Sequence, residues 1–308
     1  MTRFPPWQGM VPRSVLLACA MTALLAVPGT VARAQPASIK VLRIGTSGTL
    51  ATATGGGREE GALATLRDFI KSETGLNNEI VRQRDWRELV GRMAEKQLEL
   101  GVFQGFEFAW AQEKSPGLKP LALAVNIYRY PTVHVVARRN DPATDFAGLQ
   151  GKALALPAGG GDYVRLFLDW QSQAQGKPAD KFFSRVTTAD NAEDALDDLV
   201  DGKVQAVAAD RATLEAYKRR KPGRFNQLKQ VAQSQPFPPT IVAYQEGVLD
   251  QATLQRFRDG LLRASQTDRG QTLLTLFKLT GFEAVSPDLE QVLAQTRKAY
   301  SPPGDGGH

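Results

Sequence analysis

Residues 40–49 read KVLRIGTSGT, a short apolar run that passes directly into a glycine-containing loop. The same arrangement returns at residues 152–161, which read KALALPAGGG. Each loop is followed by a segment in which apolar residues recur at helical spacing. A strand, a glycine loop and a helix in this order form a βα unit, and ligands bind at the carboxyl ends of such strands. Two units of this kind indicate two α/β lobes, each with a loop that can face a ligand.

Apolar runs alternate with helical periods along most of the chain. The predicted strands are 41–44, 79–83, 101–103, 118–125, 132–138, 153–156, 182–187, 204–209 and 240–244. Amphipathic segments lie between most of these strands. This repeated βα winding predicts an α/β fold, with a largely parallel sheet in each lobe and helices on both faces.

Two of the predicted strands mark where the chain passes between the lobes. We expect the chain to leave the first lobe near 132–138 and to return to it near 240–244. The first lobe would then be discontinuous in sequence. The predicted organisation is a signal peptide at 1–34, lobe one at 35–135 and 240–300, lobe two at 136–239, and a disordered tail rich in Pro and Gly at 301–308.

Residues 1–34 have the composition of an export signal. They contain three arginines and no acidic residue, an apolar core at 15–27, and the sequence VARA at 31–34, which suits a signal peptidase. Cleavage there would start the mature chain at Gln35. The sequence therefore predicts a periplasmic protein that is secreted by a cleaved N-terminal signal.

Two other interpretations of this segment are open. One is a transmembrane anchor, although the apolar core is shorter than the roughly 20 residues that span a bilayer. The other is lipidation at Cys19, since residues 16–19 resemble a lipobox. Only four apolar residues separate Arg13 from Cys19, fewer than the roughly 7–15 of a signal core.

Cysteine and histidine are nearly absent from the chain. Cys19 lies in the predicted signal, and the two histidines are His134, in a predicted strand, and His308, the last residue. The mature chain therefore offers no cysteine nucleophile, no disulfide, and no cysteine or multi-histidine metal site. We expect no catalytic residues, no metal and no cofactor.

The charge balance is mildly basic. The chain has 38 basic and 32 acidic residues, a net charge of +6, and loss of the three signal arginines leaves 35 minus 32, or +3. Such a surplus does not indicate binding to nucleic acid. It is compatible with a small anionic ligand.

Six segments share the sequence pattern and the order of one protein family. They are LRIG at 42–45, DWREL at 85–89, GFEFA at 105–109, YPTVHVV at 130–136, DFAGLQGKALA at 145–155 and GKVQAVA at 202–208. Over residues 40–245 the chain resembles the phosphate, phosphite and phosphonate solute-binding proteins of ABC importers. The Leu-x-Gly-Lys element at 149–152 and the order of the segments are the most specific parts of this resemblance.

The resemblance implies the type II periplasmic binding fold, a Venus flytrap of two mixed sheets flanked by helices. It implies a protein that captures a small-molecule solute, phosphonate-like or phosphate-like, between its lobes and delivers it to an ABC transporter permease. We expect a monomer with no nucleic-acid partner.

Three positions depart from the family pattern. Where family members have a Ser-Thr-Ser-Gly turn ahead of a helix, this chain has Ala-Gly-Gly-Gly at 158–161, which keeps backbone N–H groups but no hydroxyl donors. A family histidine is replaced within Ala-Asp-Asn at 189–191, and a pocket tyrosine of the family aligns with Trp86. Solute specificity is expected to differ from the family at these positions.

The first glycine loop supplies four candidate ligand contacts. Thr46, Ser47, Gly48 and Thr49 follow the first predicted strand and offer hydroxyl and amide donors to an oxyanion or a polar headgroup. Ordinary turn chemistry is the alternative interpretation.

The second glycine loop supplies four more candidates. Gly159, Gly160 and Gly161 can bring bare amides to an anion at a helix N-terminus, where the helix dipole is worth typically about 0.3–1 kcal/mol. A flexible turn is the alternative. Asp162 is either a ligand contact or a cap on those same amides.

The remaining candidates lie near the ends of predicted strands. They are Trp86, Phe106, Tyr130, Thr132, Asn191 and Asp210. Trp86 and Tyr130 correspond to pocket aromatics of the family, and core packing is the alternative role for the three aromatic residues. Asp210 corresponds to an acidic family position that could accept an amine or a hydroxyl. A helix N-cap is the alternative role for Asp210.

We therefore interpret the chain as an extracytoplasmic solute-binding protein and not as an enzyme. A ligand-sensing periplasmic protein that partners a membrane kinase would use the same fold and is one alternative. An exported hydrolase is another, but it would need a serine with a lysine or a pair of carboxylates, and no spacing in the sequence supports either.

Overall fold

The structure is a computed structural model that describes residues 39–47 and 57–302. The predicted signal peptide, Gly48, Thr49 and most of the predicted tail lie outside these ranges. The described strands are β1 Val41–Thr46, β2 Asn77–Arg82, β3 Leu100–Phe103, β4 Leu118–Val125, β5 Val133–Arg138, β6 Ala153–Pro157, β7 Arg185–Ala189, β8 Ala206–Asp210, β9 Leu228–Gln233, β10 Thr240–Gln245 and β11 Gly281–Glu283.

Helices separate most of these strands. The described helices are α1 Gly57–Thr74, α2 Trp86–Ala94, α3 Gly105–Lys114, α4 Asp162–Ala174, α5 Ala179–Phe182, α6 Ala192–Val200, α7 Arg211–Arg220, α8 Pro222–Phe225, α9 Gln251–Leu262, α10 Asp268–Leu276 and α11 Leu289–Ala299. Several begin with side-chain caps, such as Asp85 before α2, whose carboxylate accepts the Glu88 N–H. None of the described helices combines the length and the apolar composition needed to span a membrane.

The strands form two sheets. Sheet 1 has the order β11-β4-β10-β3-β1-β2, and sheet 2 has the order β7-β6-β8-β5-β9. β1 runs parallel to β2 and β3, whereas β10 is antiparallel to β3 and β4. In sheet 2, β6 is parallel to β7 and β8, whereas β5 is antiparallel to β8 and β9. The prediction of an α/β fold with two mixed sheets flanked by helices is confirmed.

The chain passes from one sheet to the other twice. β4 belongs to sheet 1 and β5 to sheet 2, so residues 126–132 form the first crossing segment. β9 belongs to sheet 2 and β10 to sheet 1, so residues 234–239 form the second crossing segment. Both segments therefore lie at the junction of the two sheets.

The strand predicted at 182–187 is present as β7, but it begins three residues later than predicted. α5 ends at Phe182, and β7 begins only at Arg185. The apolar pair Phe182 and Phe183 packs against Phe146, with ring centroids 5.0 and 5.8 Å away, so the pair serves the core and not a strand. β9 and β11 were not predicted, because these edge strands read LKQVAQ and GFE and have no continuous apolar run.

Buried apolar residues connect the two sheets. One cluster packs α1, α9 and α10 against sheet 1, and another packs α6 and α7 against sheet 2. A third contains residues of both sheets, including Val125 of β4, Val133 of β5 and Ile241 of β10. Burial of one such side chain contributes about 1.5–3 kcal/mol, so the junction is held by a continuous apolar core.

An aromatic column runs through the junction of the sheets. The ring of Tyr163 lies 5.5 Å from that of Phe237, which stacks on Tyr300 at 4.8 Å. Tyr300 also meets Trp170 at 5.5 Å, and its carbonyl accepts the Trp110 Nε1–H at 2.8 Å. The column therefore ties α3 and the residue after α11 to α4 and the second crossing segment.

The start of α3 lies directly against the second crossing segment. A Cβ atom on Gly105 would stand 2.1 Å from the carbonyl oxygen of Pro238 and 2.4 Å from that of Pro239. Both distances are far shorter than van der Waals contact. Only glycine therefore allows α3 and the crossing segment to pack this closely.

Candidate functional site

A cavity of about 100 Å³ lies at the junction of the two sheets, and we call it the junction cavity. Its lining comes from the end of β3, both crossing segments, α4 and the β8–α7 turn, and comprises Gln104, Ala124, Asn126, Tyr128, Pro131, Tyr163, Asp210, Arg211, Ala212, Pro238, Pro239, Thr240 and Leu279. Polar groups from elements of both sheets therefore face one small volume.

A second cavity, of about 80 Å³, lies at the carboxyl ends of the parallel neighbours β6 and β8, and we call it the glycine-loop cavity. Its lining includes Gly160, Gly161, Asp162, Asp210 and Thr213. The first N–H groups of α4 and α7 have no carbonyl partner within their helices and carry the positive end of the helix dipole. This cavity meets the junction cavity at Asp210, which lines both.

Tyr163 and Asp210 form a hydrogen-bonded pair beside the junction cavity. The Tyr163 hydroxyl donates to Asp210 Oδ2 at 3.0 Å, and Asp210 Oδ1 accepts the Thr213 N–H at 2.7 Å as the N-cap of α7. Burial and the Asp210 carboxylate raise the pKa of Tyr163. The phenol therefore stays protonated and donates to the carboxylate.

Arg211 brings positive charge to the rim of the junction cavity. Its Nε–H donates to Glu215 Oε1 at 2.7 Å, and its guanidinium lies 4.4 Å from the centroid of the Tyr128 ring. The Tyr128 hydroxyl donates to the same carboxylate. Hydrogen bonds from Tyr128 and Arg211 lower the pKa of Glu215, so the carboxylate remains charged and fixes the guanidinium.

Two further contacts connect sheet 1 elements with the second glycine loop. Gln104, the N-cap residue of α3, donates its side-chain amide to Asp162 Oδ2 at 3.4 Å. Lys278 lies just before β11, and its Nζ is close to Gly159. A Cβ atom added to Gly159 would lie 3.2 Å from this Nζ. The second glycine loop thus faces an amide and an ammonium group from the other sheet.

Glu107 is a buried carboxyl near the same junction. Its Oε2 accepts the Ser47 hydroxyl at 2.9 Å and the Gln104 N–H at 3.2 Å. The pKa of Glu107 is raised to about 7, mainly because the carboxyl is buried. The two hydrogen bonds lower this pKa, and the charges of Asp162 and Asp85 raise it, but both effects are smaller than that of burial. The carboxyl can therefore change its protonation state near neutral pH.

Stability is expected to depend on pH through Glu107. Its pKa is about 7 in the folded chain against an ordinary 4.5, so the folded chain retains a proton that the unfolded chain releases between these values. The stabilisation is fully present below about pH 4.5 and is lost as the pH rises through about 7, a change of roughly 3 kcal/mol. Between pH 5 and pH 8, the free energy of unfolding should fall less for Glu107→Gln than for the wild type in chemical denaturation.

Glu113→Gln is the control for this prediction. Glu113 lies on the same helix as Glu107 and is exposed. Between pH 5 and pH 8, the free energy of unfolding of Glu113→Gln should therefore fall by the same amount as that of the wild type. Identical falls for Glu107→Gln and Glu113→Gln would show that Glu107 does not titrate in this range.

The structure places several predicted site residues at the cavities. Gly160, Gly161 and Asp162 line the glycine-loop cavity, and Asp210 lines both cavities. Asp210 is also the N-cap of α7, which is the alternative role given to it in the sequence analysis. The same carboxylate therefore caps a helix and lines the cavities. Gly159 lies next to this group and faces Lys278.

Other predicted site residues lie away from both cavities. Trp86 and Phe106 are only 3% and 8% exposed and pack on Trp110 in the core. Tyr130 shares a hydrogen bond of 2.7 Å with Ser286, so its hydroxyl serves the contact between the first crossing segment and the chain after β11.

The other four predicted residues have local structural partners. Ser47 is fully buried beside Glu107, and Thr46 is the last residue of β1. The Thr132 hydroxyl lies 3.0 Å from His134 Nε2. Asn191 is the exposed N-cap of α6, where its Oδ1 accepts the Asp194 N–H at 2.9 Å.

Sequence reasoning missed Gln104, Tyr163, Arg211 and Lys278. Gln104 and Arg211 directly follow β3 and β8, so the rule that ligands meet the carboxyl ends of strands could have found both. Tyr163 lies among the apolar residues of α4, and no local sequence signal brings Lys278 near Gly159. Within residues 39–47 and 57–302, no group of His, Cys, Asp and Glu side chains could hold a metal ion.

Comparison with known proteins identifies the family. A family model described as "ABC transporter, phosphonate, periplasmic substrate-binding protein" matches residues 57–289. This chain belongs to that family. Such periplasmic binding proteins bind small solutes outside the cytoplasm and deliver them to the permease of an ABC importer. No curated protein matches the sequence.

Several solved structures share the fold of this chain. XAC2383 from Xanthomonas citri bound to ATP matches with a TM-score of 0.60 at 18% identity, over 85% of this chain and 97% of that one. PhnD1 from Prochlorococcus marinus in complex with methylphosphonate matches with a TM-score of 0.55 at 13% identity, over 84% and 97%.

A third structure agrees with these two. A binding-protein component of an ABC phosphonate transporter from Pseudomonas aeruginosa matches with a TM-score of 0.51 at 12% identity, over 86% of this chain and 90% of that one. At these identities the likeness shows the fold alone. The prediction of a type II periplasmic binding fold is confirmed.

Proposed function

We propose that this chain captures a small oxyanion of the phosphonate, phosphate or sulfonate type in the junction cavity and delivers it to an ABC permease. The observation that carries the proposal is the donor set of that cavity. Arg211 supplies a cation, and Gln104 and Asn126 supply neutral amide donors from elements on the sheet 1 side. A cation together with neutral donors suits an oxyanion. The Asp210 carboxylate also lines the cavity, and its two oxygens accept hydrogen bonds from Tyr163 and from the Thr213 N–H.

The size of the cavity restricts the solute. Its volume of about 100 Å³ is well below the roughly 300–1,000 Å³ of pockets that hold drug-sized ligands. Arg211 uses its Nε–H on Glu215, while both terminal nitrogens carry further N–H donors that suit a bidentate oxyanion. The family description and the methylphosphonate complex of the Prochlorococcus marinus relative agree with such a solute.

The setting of this function is part of the proposal. We infer that the signal at 1–34 is removed, so that the protein begins at Gln35 in the periplasm, and that it works as a monomer without catalysis. The two lobes would be 35–135 with 240–300 and 136–239. Their approach around the solute would exclude water and strengthen each hydrogen bond.

Titration with small anions tests the proposal. We expect methylphosphonate, phosphate or methanesulfonate to raise the free energy of unfolding by about 2.7 kcal/mol at a hundredfold excess over Kd, because ligand that binds only the folded chain stabilises it by mass action. Calorimetry and thermal denaturation would measure this, with ethanolamine as the cationic control. Stabilisation by ethanolamine and by none of the anions would reject an oxyanion solute.

A further inference from the structure

The Tyr163 ring lines the junction cavity and lies beside its border with the glycine-loop cavity. Tyr163 lines the first cavity, Gly161 lines the second, and Asp210 lines both. A Cβ atom on Gly161 would lie 2.1 Å from Tyr163 Cε1, so the ring rests directly on the glycine backbone. The hydroxyl end of the ring reaches Asp210 at 3.0 Å. The pair Tyr163 and Asp210 thus spans the border at which the two cavities meet.

Three separate contacts hold the ring in this position. The absence of a side chain on Gly161 lets one face lie flat, Phe237 packs at 5.5 Å, and Asp210 accepts the phenol. Asp210 is itself fixed, because its other oxygen accepts the Thr213 N–H at the start of α7. The ring therefore belongs to the wall of the cavity and is not a loosely held side chain on its rim.

We propose that Tyr163 is the residue that limits solute size, because its ring closes the junction cavity off from the glycine-loop cavity. The inference rests on the proposed function and adds to it a size limit and the residue that sets it. With the ring in place, the solute has about 100 Å³ and a substituent cannot extend into the second cavity. Because the ring rests on Gly161, which lines the second cavity of about 80 Å³, we expect loss of the ring to open the first cavity toward the second.

The glycine-loop cavity has room and apolar surface for a short alkyl chain. Its apolar part is formed by Leu156, Pro157, Val164, Ala208 and Ala209, while Asp162, Arg165, Asp210 and Thr213 line the rest together with the glycines. Each methylene group that moves from water into such surroundings improves affinity by about fourfold. A butyl group has three more methylenes than a methyl group, so opening the border should act strongly on the relative affinity of the two phosphonates.

The test compares methylphosphonate with butylphosphonate by calorimetry on the intact protein. For Tyr163→Ala, we expect the ratio of the butylphosphonate Kd to the methylphosphonate Kd to fall by about fourfold for each methylene that enters the opened cavity, or about sixtyfold if all three enter it. Tyr163→Leu also removes the ring but keeps an apolar side chain, and it should shift the ratio in the same direction. Tyr163→Leu therefore provides the same test if Tyr163→Ala does not fold.

Tyr217→Leu is the matched control. Tyr217 is another buried tyrosine beside sheet 2, and its hydroxyl donates to Asp197 at 2.7 Å, but it lines neither cavity. It should leave the ratio unchanged. If the wild type binds methylphosphonate and neither Tyr163 variant changes the ratio, the size limit is refuted while the proposed function stands. If the wild type binds neither phosphonate, the phosphonate assignment fails, and the size limit fails with it.

Discussion

Arg211→Gln is expected to weaken binding of methylphosphonate by about tenfold to a hundredfold. A hydrogen bond to a charged group is worth about 1.5–3 kcal/mol, which corresponds to that range in Kd. Glutamine keeps an amide donor but removes the cation that the anion would meet at the junction cavity. Calorimetry on the wild type and the variant would measure the loss.

The folded chain itself should tolerate this change. The Arg211 side chain is 55% exposed and its partner Glu215 is 36% exposed, and such ion pairs contribute about 0–1 kcal/mol to stability. Arg219→Gln is the control, because Arg219 lies two turns along the same helix, is exposed and lines neither cavity. Equal losses of affinity for Arg211→Gln and Arg219→Gln would point to general electrostatic attraction and away from a contact at the cavity.

Gly105→Ala is expected to lower the free energy of unfolding by about 1–3 kcal/mol, since overpacking costs this much when the surroundings must move. The added methyl group would meet the carbonyl oxygens of Pro238 and Pro239, which are backbone atoms and cannot rotate away. α3 and the second crossing segment would have to separate. Pro238, Pro239 and Gln104 line the junction cavity, so affinity for the solute should fall as well.

The same substitution at Gly91 should have the opposite sign. Gly91 lies inside α2, and a Cβ atom there would meet no atom within 4 Å. Alanine in a helix interior is favoured over glycine by about 0.5–1 kcal/mol. Urea denaturation of both variants would therefore give changes of opposite direction, and destabilisation by both would contradict the steric explanation.

The fold was predictable because its signals are local. The runs around Val41–Thr46 and Ala153–Pro157 are apolar, short and followed by glycine, and each forms a strand at the position expected. The misplaced start of β7 has a nonlocal cause. Phe182 and Phe183 looked like a strand in sequence, but they are needed to fill the space against Phe146, and packing decides their conformation.

The site was less predictable, because its contacts join residues that are distant in sequence. Gln104 meets Asp162, and Tyr163 meets Asp210, across separations that no spacing rule encodes. Trp86 was chosen as an aromatic at a strand end, but it is buried in the core and packs on Trp110. The sequence can mark the loops that end strands, whereas the side chains that oppose each other across the junction emerge only from the packing of the two sheets.

The two crossings between the sheets also set the order in which the molecule can be completed. All strands of sheet 2 lie between Val133 and Gln233, so this sheet can form as soon as that one stretch is available. Sheet 1 cannot, because β10, its strand between β3 and β4, begins only at Thr240. When the chain emerges from its N-terminus, β1 to β4 therefore appear first, and β3 and β4 have no strand between them until β10 follows. These apolar strands are the part of the chain for which protection by a chaperone outside the cytoplasm would matter most.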